Sequence, residues 1–236
     1  MMKVWLLFPA ISAPMPFQLA LDEILFRRIE AHRTDPVLRF YFSSEPWISM
    51  GYSSRLPHLN PLPLKGGEGR VRGLSVTRRI TGGGRVEHGR DVMFSLVARK
   101  ADDASFSSVR MSYLKIHEAV KSALEGLGAP ARFFRCDEKL PKGDDCFLYP
   151  IATDLGVGNR KVAGGGQRRS GQALLHQESI LPIKGTEESA LILAIRAGFE
   201  KIFMVKLNAA NFDPRIFKKA GELAQEKYAM EPCLSS

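Results

Sequence analysis

A cysteine, a lysine and two runs of three glycines are the residues of this sequence whose types and spacing could do chemistry. Lys161 comes shortly before residues 164–166, Cys146 lies just upstream, and residues 82–84 form the other glycine run. Consecutive glycines cost conformational entropy, so we expect them where the backbone must approach something closely, and we predict a loop at each run. A cation beside such a loop suits an anionic or carbonyl-bearing ligand. The pattern predicts a ligand-binding site.

Each of these residues also has a purely structural interpretation. A glycine run can be a hairpin turn, Lys161 a solvated strand residue, Cys146 a small buried hydrophobe and His176 a core histidine in an apolar run. The first run is neither a dinucleotide-binding fingerprint nor a P-loop, because no GK[ST] follows it and the next segment resembles a strand. Residue by residue, the structural interpretations remain open.

Composition limits the class of protein. The 236 residues carry a net charge of +9, with a hydrophobic fraction of 44% and a charged fraction of 25%, as in globular proteins. The basic surplus favours acidic partners, but its spread along the chain does not favour nucleic acid. The three cysteines have no disulfide or metal spacing, so we expect no metal site and a cytoplasmic location without membrane attachment.

Hydrophobic periodicity predicts an α+β fold, with a mixed, largely antiparallel sheet flanked by helices. We expect one domain over residues 1–236, with a Pro/Gly-rich loop or insertion at about 53–72. Residues 47–52 are expected to pair with the strand at 37–42. The other predicted strands lie at 4–8, 74–80, 91–98, 131–134, 155–157, 161–162 and 173–174. Helices are predicted from Pro16 to about 33, and at 112–127, 187–203 (interrupted by Gly198) and 214–228.

Taken together, the motifs resemble those of the lipoate–protein ligase and octanoyltransferase superfamily, whose catalytic domain is shared with biotin–protein ligases. RRITGGGRVEH resembles the family's ligand loop, RKVAGGGQRRSGQALLHQESI its lysine-bearing segment, and CFLYPIATDL the segment of members with a nucleophilic cysteine. RFY followed by WISMGY resembles two of its strands. The resemblance runs from about Val4 to Tyr228.

The resemblance implies the fold of the biotin/lipoate ligase catalytic domain and an acyl-transfer chemistry. Cys146 would carry an octanoyl or lipoyl group, and Lys161 would stabilise the acyl carbonyl oxygen. The acceptor would be a lysine of an acidic lipoyl-domain protein, and acyl carrier protein a possible donor. The implied substrate-binding residues are Arg79, Gly82, Gly83, Gly84, His88, Gly164, Gly165, Gly166 and His176.

Two alternatives stay open beside the cysteine-dependent transferase. A transferase would need no cofactor, whereas an ATP-dependent lipoate ligase would use ATP and Mg, with lipoate or octanoate as the acyl group. The other alternative is a non-catalytic basic binding module of the same fold. It is motivated by Gly89, which stands where many members carry an aspartate, and by Glu178, which replaces the usual glycine.

Overall fold

The chain alternates between strands and helices, and the computed structural model describes residues 2–54, 75–134 and 145–229. Except for Ser53 and Ser54, the loop expected at about 53–72 lies outside the described residues, as do Cys136 and Cys233. The strands are β1 (Lys3–Ala13), β2 (Val37–Ser43), β3 (Trp47–Met50), β4 (Ser75–Arg78), β5 (Arg85–His88), β6 (Val92–Arg99), β7 (Ala131–Phe133), β8 (Leu155–Val157), β9 (Arg160–Ser170), β10 (Ala173–Ile180) and β11 (Val205–Ala209). The helices are α1 (Met15–Glu30), α2 (Val109–Gly126), α3 (Glu188–Phe203) and α4 (Pro214–Leu223), with a 3₁₀ turn at Ala104–Ser107 and a π-helical turn at Ala224–Tyr228.

The described strands form two sheets. The larger sheet has eight strands in the order β11-β1-β2-β6-β10-β9-β8-β7, and the smaller has three in the order β4-β3-β5. In the larger sheet β1 pairs in parallel with both β11 and β2, and the remaining pairs are antiparallel. This arrangement confirms the predicted α+β fold with a mixed sheet.

Alternating side chains give the large sheet two different buried faces. Phe40 and Phe94, opposite each other on β2 and β6, pack into the core with residues of α2 and α3. Tyr41 and Met93, one position further along, pack instead with residues of α1 and α4. Because both faces are covered by helices, the strands read as apolar runs rather than as strict alternation. Among the described residues no helix is long and apolar enough to cross a membrane.

The predicted pairing of residues 47–52 with 37–42 is wrong. β3 belongs to the small sheet, where it pairs in parallel with β4 and antiparallel with β5. Both edges of β2 are already bonded, to β1 and to β6. The two strands are neighbours in sequence, but no short hairpin turn joins them, and Pro46 stands directly before β3.

The glycines at 164–166 do not form a loop. They lie in the middle of β9 and pair in register with residues of β10, so the predicted loop is replaced by regular strand. Gly198 does not interrupt its helix either, since α3 continues to Phe203. A Cβ at Gly198 would press on the carbonyl oxygen of Ala119, so this glycine lets α2 and α3 approach closely. In both places the missing Cβ lets neighbouring groups approach the backbone, and the glycine does not break the strand or the helix.

Other elements match their predictions or extend them. The strand predicted at 4–8 continues as β1 to Ala13, with a register shift between Phe8 and Ile11 on either side of Pro9. The helices predicted from Pro16 and at 112–127 are confirmed as α1 and α2. Two strands were not predicted, β5 and β11. β5 matters for the site because it lies between the first glycine run and β6.

Candidate active site

The first glycine run wraps a buried guanidinium. Arg79, at the end of β4, donates hydrogen bonds to the carbonyl oxygens of Gly82 (3.0 Å), Gly84 (2.9 Å) and Ser49 (3.0 Å). Gly83 has a φ of +98°, which favours glycine, and a Cβ there would lie 2.8 Å from Arg79 Nη2. Burial lowers the pKa of Arg79 from its ordinary value. The loop is therefore a rigid turn organised around one cation.

Cys146 is docked against this loop. Its thiol accepts a hydrogen bond from the backbone N–H of Gly84 at 3.0 Å, and its own N–H donates to the carbonyl oxygen of Arg85 at 2.9 Å. The thiol is close enough to the guanidinium of Arg79 for the two to interact electrostatically. The cysteine is half-buried. A backbone donor and a cation thus face the sulfur.

Lys161 contacts the main chain of Cys146. Its Nζ donates to the carbonyl oxygen of Cys146 at 2.6 Å and forms an ion pair with Asp154 at 2.7 Å, with both side chains almost fully buried. Burial raises the pKa of Asp154, and this effect outweighs the attraction of Lys161. Cys146 and Lys161, predicted separately from two motifs, are therefore in direct contact. Asp154 closes the cysteine motif but was not predicted as a site residue.

The three glycines of β9 leave room for groups that approach the strand. A Cβ at Gly164 would lie 2.5 Å from Lys161 Nζ, and one at Gly166 would lie 2.5 Å from the carbonyl oxygen of Gly82. A Cβ at Gly165 would lie 2.6 Å from Nε2 of His176. The glycines therefore provide the close approach that the sequence predicts, although they do so within a strand.

A cavity of about 440 Å³ of empty space, part of it open to solvent, collects most of the predicted site residues. Those that line it are Arg79, His88, Cys146, Lys161, Gly164, Gly165 and Gly166. Its apolar lining comes from Met15, Leu19, Tyr41, Val86 and Met93. Gly82 lines a neighbouring cavity, together with Arg168 and Arg169, while Gly83 and Gly84 complete the loop around Arg79. The site therefore combines an apolar lining with the cysteine, two cations and the carboxylate of Glu178.

His176 was also predicted as a site residue, but it lies in the protein core. It is fully buried, with Nε2 2.7 Å from Oε2 of Glu178 and Nδ1 3.2 Å from the amide nitrogen of Gln167. Oε1 of Gln167 accepts from Ser112 and Arg169, so the amide nitrogen donates to His176 Nδ1 and the ring proton is on Nε2. His176 is therefore hydrogen-bonded to Glu178 and is not one of the described residues that line the cavity.

Glu178 is an ionised carboxylate inside the protein. Its Oε2 also meets Nε2 of His117 at 2.9 Å, while Nδ1 of that ring faces the carbonyl oxygen of Thr153. Both nitrogens of His117 therefore need protons, which makes the ring an imidazolium. Burial lowers the pKa of His117, but the charge and hydrogen bond of Glu178 outweigh it and raise the pKa. Burial raises the pKa of Glu178, but the two histidines outweigh it and hold the pKa at about 2.

His117, His176 and Glu178 are also the one group among the described residues that could hold a metal ion, because their ligand atoms lie within 4.8 Å of one another. The hydrogen bonds assign a proton to each histidine nitrogen that faces Glu178. Two N–H donors then satisfy the carboxylate oxygen that they share. The geometry fits a proton-linked cluster better than a metal centre, in which both nitrogens would have to be unprotonated.

His88 is held from both sides. Nε2 lies 2.7 Å from the hydroxyl of Ser49, and Nδ1 lies 2.8 Å from Oδ2 of Asp91. Asp91 also accepts from the hydroxyl of Ser179 and from the backbone N–H of Gly89 at 3.1 Å. Position 89 is a glycine and not an aspartate, but Asp91, three residues after His88, places its carboxylate against the histidine ring. Neither Ser49 nor Asp91 was predicted, because the contact depends on how β3 and β5 pair.

Known proteins resemble this chain over most of its length. The family model for the lipoyl protein ligase A/B catalytic domain matches residues 14–184. The octanoyltransferase LipM of Moorella thermoacetica is 32% identical over 195 residues, which cover 80% of this chain and 70% of that protein. The LipM of Geobacillus kaustophilus is 28% identical over 186 residues, which cover 76% of this chain and 66% of that protein. The match thus spans about two thirds of the length of these relatives.

Solved structures share the fold. A lipoate–protein ligase A bound with ATP superposes with a TM-score of 0.73 at 21% identity, covering 98% of this chain and 97% of the other. The bipartite lipoate–protein ligase of Thermoplasma acidophilum superposes with a TM-score of 0.69 at 20% identity, covering 98% and 95%. The resemblance predicted from the motifs is confirmed. This chain belongs to the family of the lipoyl protein ligase A/B catalytic domain.

Proposed function

We propose that this protein transfers an octanoyl group to a lysine of a lipoyl-domain protein through an acyl-enzyme on Cys146. The observation that carries the proposal is the contact between Lys161 Nζ and the carbonyl oxygen of Cys146 at 2.6 Å, with the thiol facing Gly84 N–H at 3.0 Å. Cys146 therefore contacts a cation through its main chain and a backbone donor through its sulfur, and it lines a cavity with apolar residues in its wall. Relatives named octanoyltransferase support the same chemistry.

In the first step the thiolate of Cys146 attacks the carbonyl carbon of an acyl thioester, and the donor thiol leaves. Lys161 and the N–H of Gly84 then stabilise the negative oxygen of the tetrahedral intermediate. In the second step the ε-amine of the acceptor lysine attacks the thioester, loses a proton and releases Cys146. Arg79 and the glycines at 82–84 and 164–166 would shape the acyl site, His88 would contact the substrate, and His176 would act only through Glu178.

Asp154 positions Lys161 in this scheme. Its carboxylate is 2.7 Å from Nζ and is itself fixed by the backbone N–H of Ile151 at 2.8 Å. The carbonyl of Thr153, next in the chain, accepts from His117. Glu178, His117 and Asp154 therefore form a buried chain of contacts that ends at Lys161.

The second candidate is an ATP-dependent lipoate ligase, favoured by the fold shared with a lipoate–protein ligase A that binds ATP. ATP and Mg would be its cofactors, and Lys161 would hold the carboxylate of lipoate or octanoate and then the adenylate phosphate. A thiol that faces Gly84 N–H and Arg79, in a residue whose carbonyl oxygen contacts Lys161, supports the transferase, which needs no cofactor. The non-catalytic alternative loses its motivation, because Asp91 and the two histidines compensate for the departures at Gly89 and Glu178.

An acidic lipoyl domain would suit this protein as the acceptor, and an acyl carrier protein as the donor. The net charge is +9, and Arg168 and Arg169 line the cavity beside Gly82. Nucleic acid and membranes are not expected partners, and we expect a cytoplasmic location. Because the catalytic cavity takes residues from both sheets, we also propose that residues 1–236 act as one catalytic domain.

Intact-mass measurement after incubation with octanoyl-acyl carrier protein tests the proposal. The wild type should gain an octanoyl adduct that neutral hydroxylamine removes, as expected for a thioester, and Cys146→Ser should not form that labile adduct. Lys161→Met should slow acylation by about 100-fold or more, as expected when one donor to the oxyanion is lost. Lys206→Met, an exposed lysine of β11, is the matched control and should acylate normally.

If no adduct forms on the wild type, incubation with ATP, Mg and lipoate should be tried. A bound acyl-adenylate would then establish the ligase and exclude the cysteine-dependent route.

A further inference from the structure

Ser49 and His88 line the cavity, and Asp91 is hydrogen-bonded behind His88. The proposed transferase does not use these three side chains as a unit. The hydroxyl of Ser49 is 2.7 Å from Nε2 of His88, and Nδ1 of His88 is 2.8 Å from Oδ2 of Asp91. Nucleophile, base and orienting carboxylate therefore meet in the order that serine hydrolases use.

The fold builds this row from two strands and from the turn between β5 and β6. Ser49 is opposite Val86 in the pairing of β3 with β5, so His88, two residues further on, is its diagonal neighbour on the same face. Asp91 returns to His88 through a turn at Gly89, whose φ is +129°. A Cβ at Gly89 would lie 3.2 Å from Cα of Pro46. The glycine that replaces the usual aspartate therefore permits the turn that brings Asp91 back.

The hydrogen bonds also fix where the protons are. Arg79 Nη1 donates to the hydroxyl oxygen of Ser49 at 2.9 Å, and among the contacts of the described residues Nε2 of His88 is the acceptor for the serine's own proton. Nε2 is then an acceptor, and Nδ1 carries the ring proton and donates it to Asp91. This is the tautomer in which a histidine can remove the proton of a serine.

We propose that Ser49, His88 and Asp91 form a second acyl-transfer centre, which hydrolyses medium-chain acyl esters or thioesters bound in the same cavity. Ser49 Oγ bonds to the carbonyl carbon while its proton moves to Nε2 of His88. The bond to the leaving alcohol or thiol breaks, and that group takes the proton from His88. Water, deprotonated by His88, then attacks the acyl-serine, which releases the carboxylic acid and restores the hydroxyl of Ser49.

The remaining requirements of the reaction are met by neighbouring residues. Arg79, already 2.9 Å from Ser49 Oγ, is the cation beside the developing oxyanion. Met15, Leu19 and Met93 provide an apolar wall for an alkyl chain, which is why the substrate class is medium-chain acyl groups. This activity goes beyond the proposed transfer and does not use Cys146.

The test is covalent labelling with an octyl fluorophosphonate, a reagent that reacts with activated serines, followed by peptide mass mapping. We expect one adduct on Ser49 in the wild type and none in Ser49→Ala. Asp91→Asn should slow labelling by about 100-fold or more, because an amide donor opposite Nδ1 selects the wrong tautomer. Ser95→Ala is the matched control and should label like the wild type. Ser95 is also a buried strand serine, but its hydroxyl bonds to Asp22.

Hydrolysis of p-nitrophenyl octanoate gives a second readout. Ser49→Ala should lower the rate of octanoate release by about 100-fold or more, and an acyl-enzyme trapped on the wild type should include an oxyester that survives neutral hydroxylamine. The transferase adduct on Cys146 is removed by the same treatment, so the two proposals fail separately. The absence of a Ser49 adduct in the wild type, or Asp91→Asn labelling at the wild-type rate, would overturn the inference.

Discussion

Replacing Glu178 by glutamine should destabilise the protein and change its response to acid. The fully buried carboxylate accepts from the imidazolium of His117 at 2.9 Å and from His176 at 2.7 Å. Its pKa lies at about 2 instead of the ordinary 4.5. At about 1.4 kcal/mol for each pH unit, this difference corresponds to about 3 kcal/mol of unfolding free energy. Removing one partner of a buried ion pair costs a similar amount, about 3–5 kcal/mol.

The sign of the pH dependence follows from the two pKa shifts. A carboxylate with a lowered folded pKa contributes its full stability above 4.5 and loses it as the pH falls towards about 2. His117, whose pKa is raised above 6.5, contributes fully below 6.5 and loses its contribution as the pH rises through the folded value. The difference between wild type and Glu178→Gln should therefore be largest near pH 5 to 6 and should shrink on acidification.

Urea denaturation at pH 6 and pH 3 measures this difference, since the midpoint reports stability when the slope is unchanged. Glu118→Gln is the control, because its half-exposed carboxylate on α2 is 3.9 Å from Lys121 and should contribute less than about 0.5 kcal/mol. A cost below about 1 kcal/mol for Glu178→Gln at pH 6, or the same cost at pH 3, would refute the assignment of a buried charged pair.

Two further substitutions test other parts of the structure. Gly198→Ala should lower the unfolding free energy by about 1–3 kcal/mol, because the added methyl meets the Ala119 carbonyl. Gly221→Ala is the control, because Gly221 in α4 has open space around it, and it should raise the unfolding free energy by up to about 1 kcal/mol. If thermal denaturation gave the same effect for both substitutions, the close approach of α2 and α3 at Gly198 would be contradicted. Asp154→Asn should lower kcat of octanoyl transfer by about 100-fold by misplacing Lys161, and a rise in KM alone would argue against this positioning.

Local sequence patterns predicted the helices well and strand pairing poorly. The 3.6-residue period from Leu19 to Ile29 and the Gly128-Ala129-Pro130 stop depend only on near neighbours in the chain. The partner of β3 depends on which strands already occupy the edges of β2, and those come from β1 and from residues 92–99. A short four-residue strand such as β5 carries too few residues for alternation to identify it.

For the site, the motifs located Cys146 and Lys161 in a way that composition could not. Their contact is a consequence of the turn at 146–154, which no periodicity describes. Nothing in the sequence distinguishes Ser49 from other strand serines, because its contact with His88 depends on the pairing of β3 with β5. His176 carried the same signal as a catalytic histidine, an apolar flank and a nearby glycine run, yet it is fully buried against Glu178 and is not among the residues that line the cavity.

The pairing of β1 with β11 has a consequence for synthesis on the ribosome. Residues 3–7 meet residues 205–209 in parallel, so one edge of the first strand is bonded only after almost the whole chain has emerged. At about 5–20 residues per second, the intervening segment takes roughly 10–40 s to translate. During that time an apolar strand, LLFPAIS at its centre, has a free edge that can pair with other chains. Nascent chains stalled before residue 205 should therefore recruit chaperones and aggregate more readily than chains released after it.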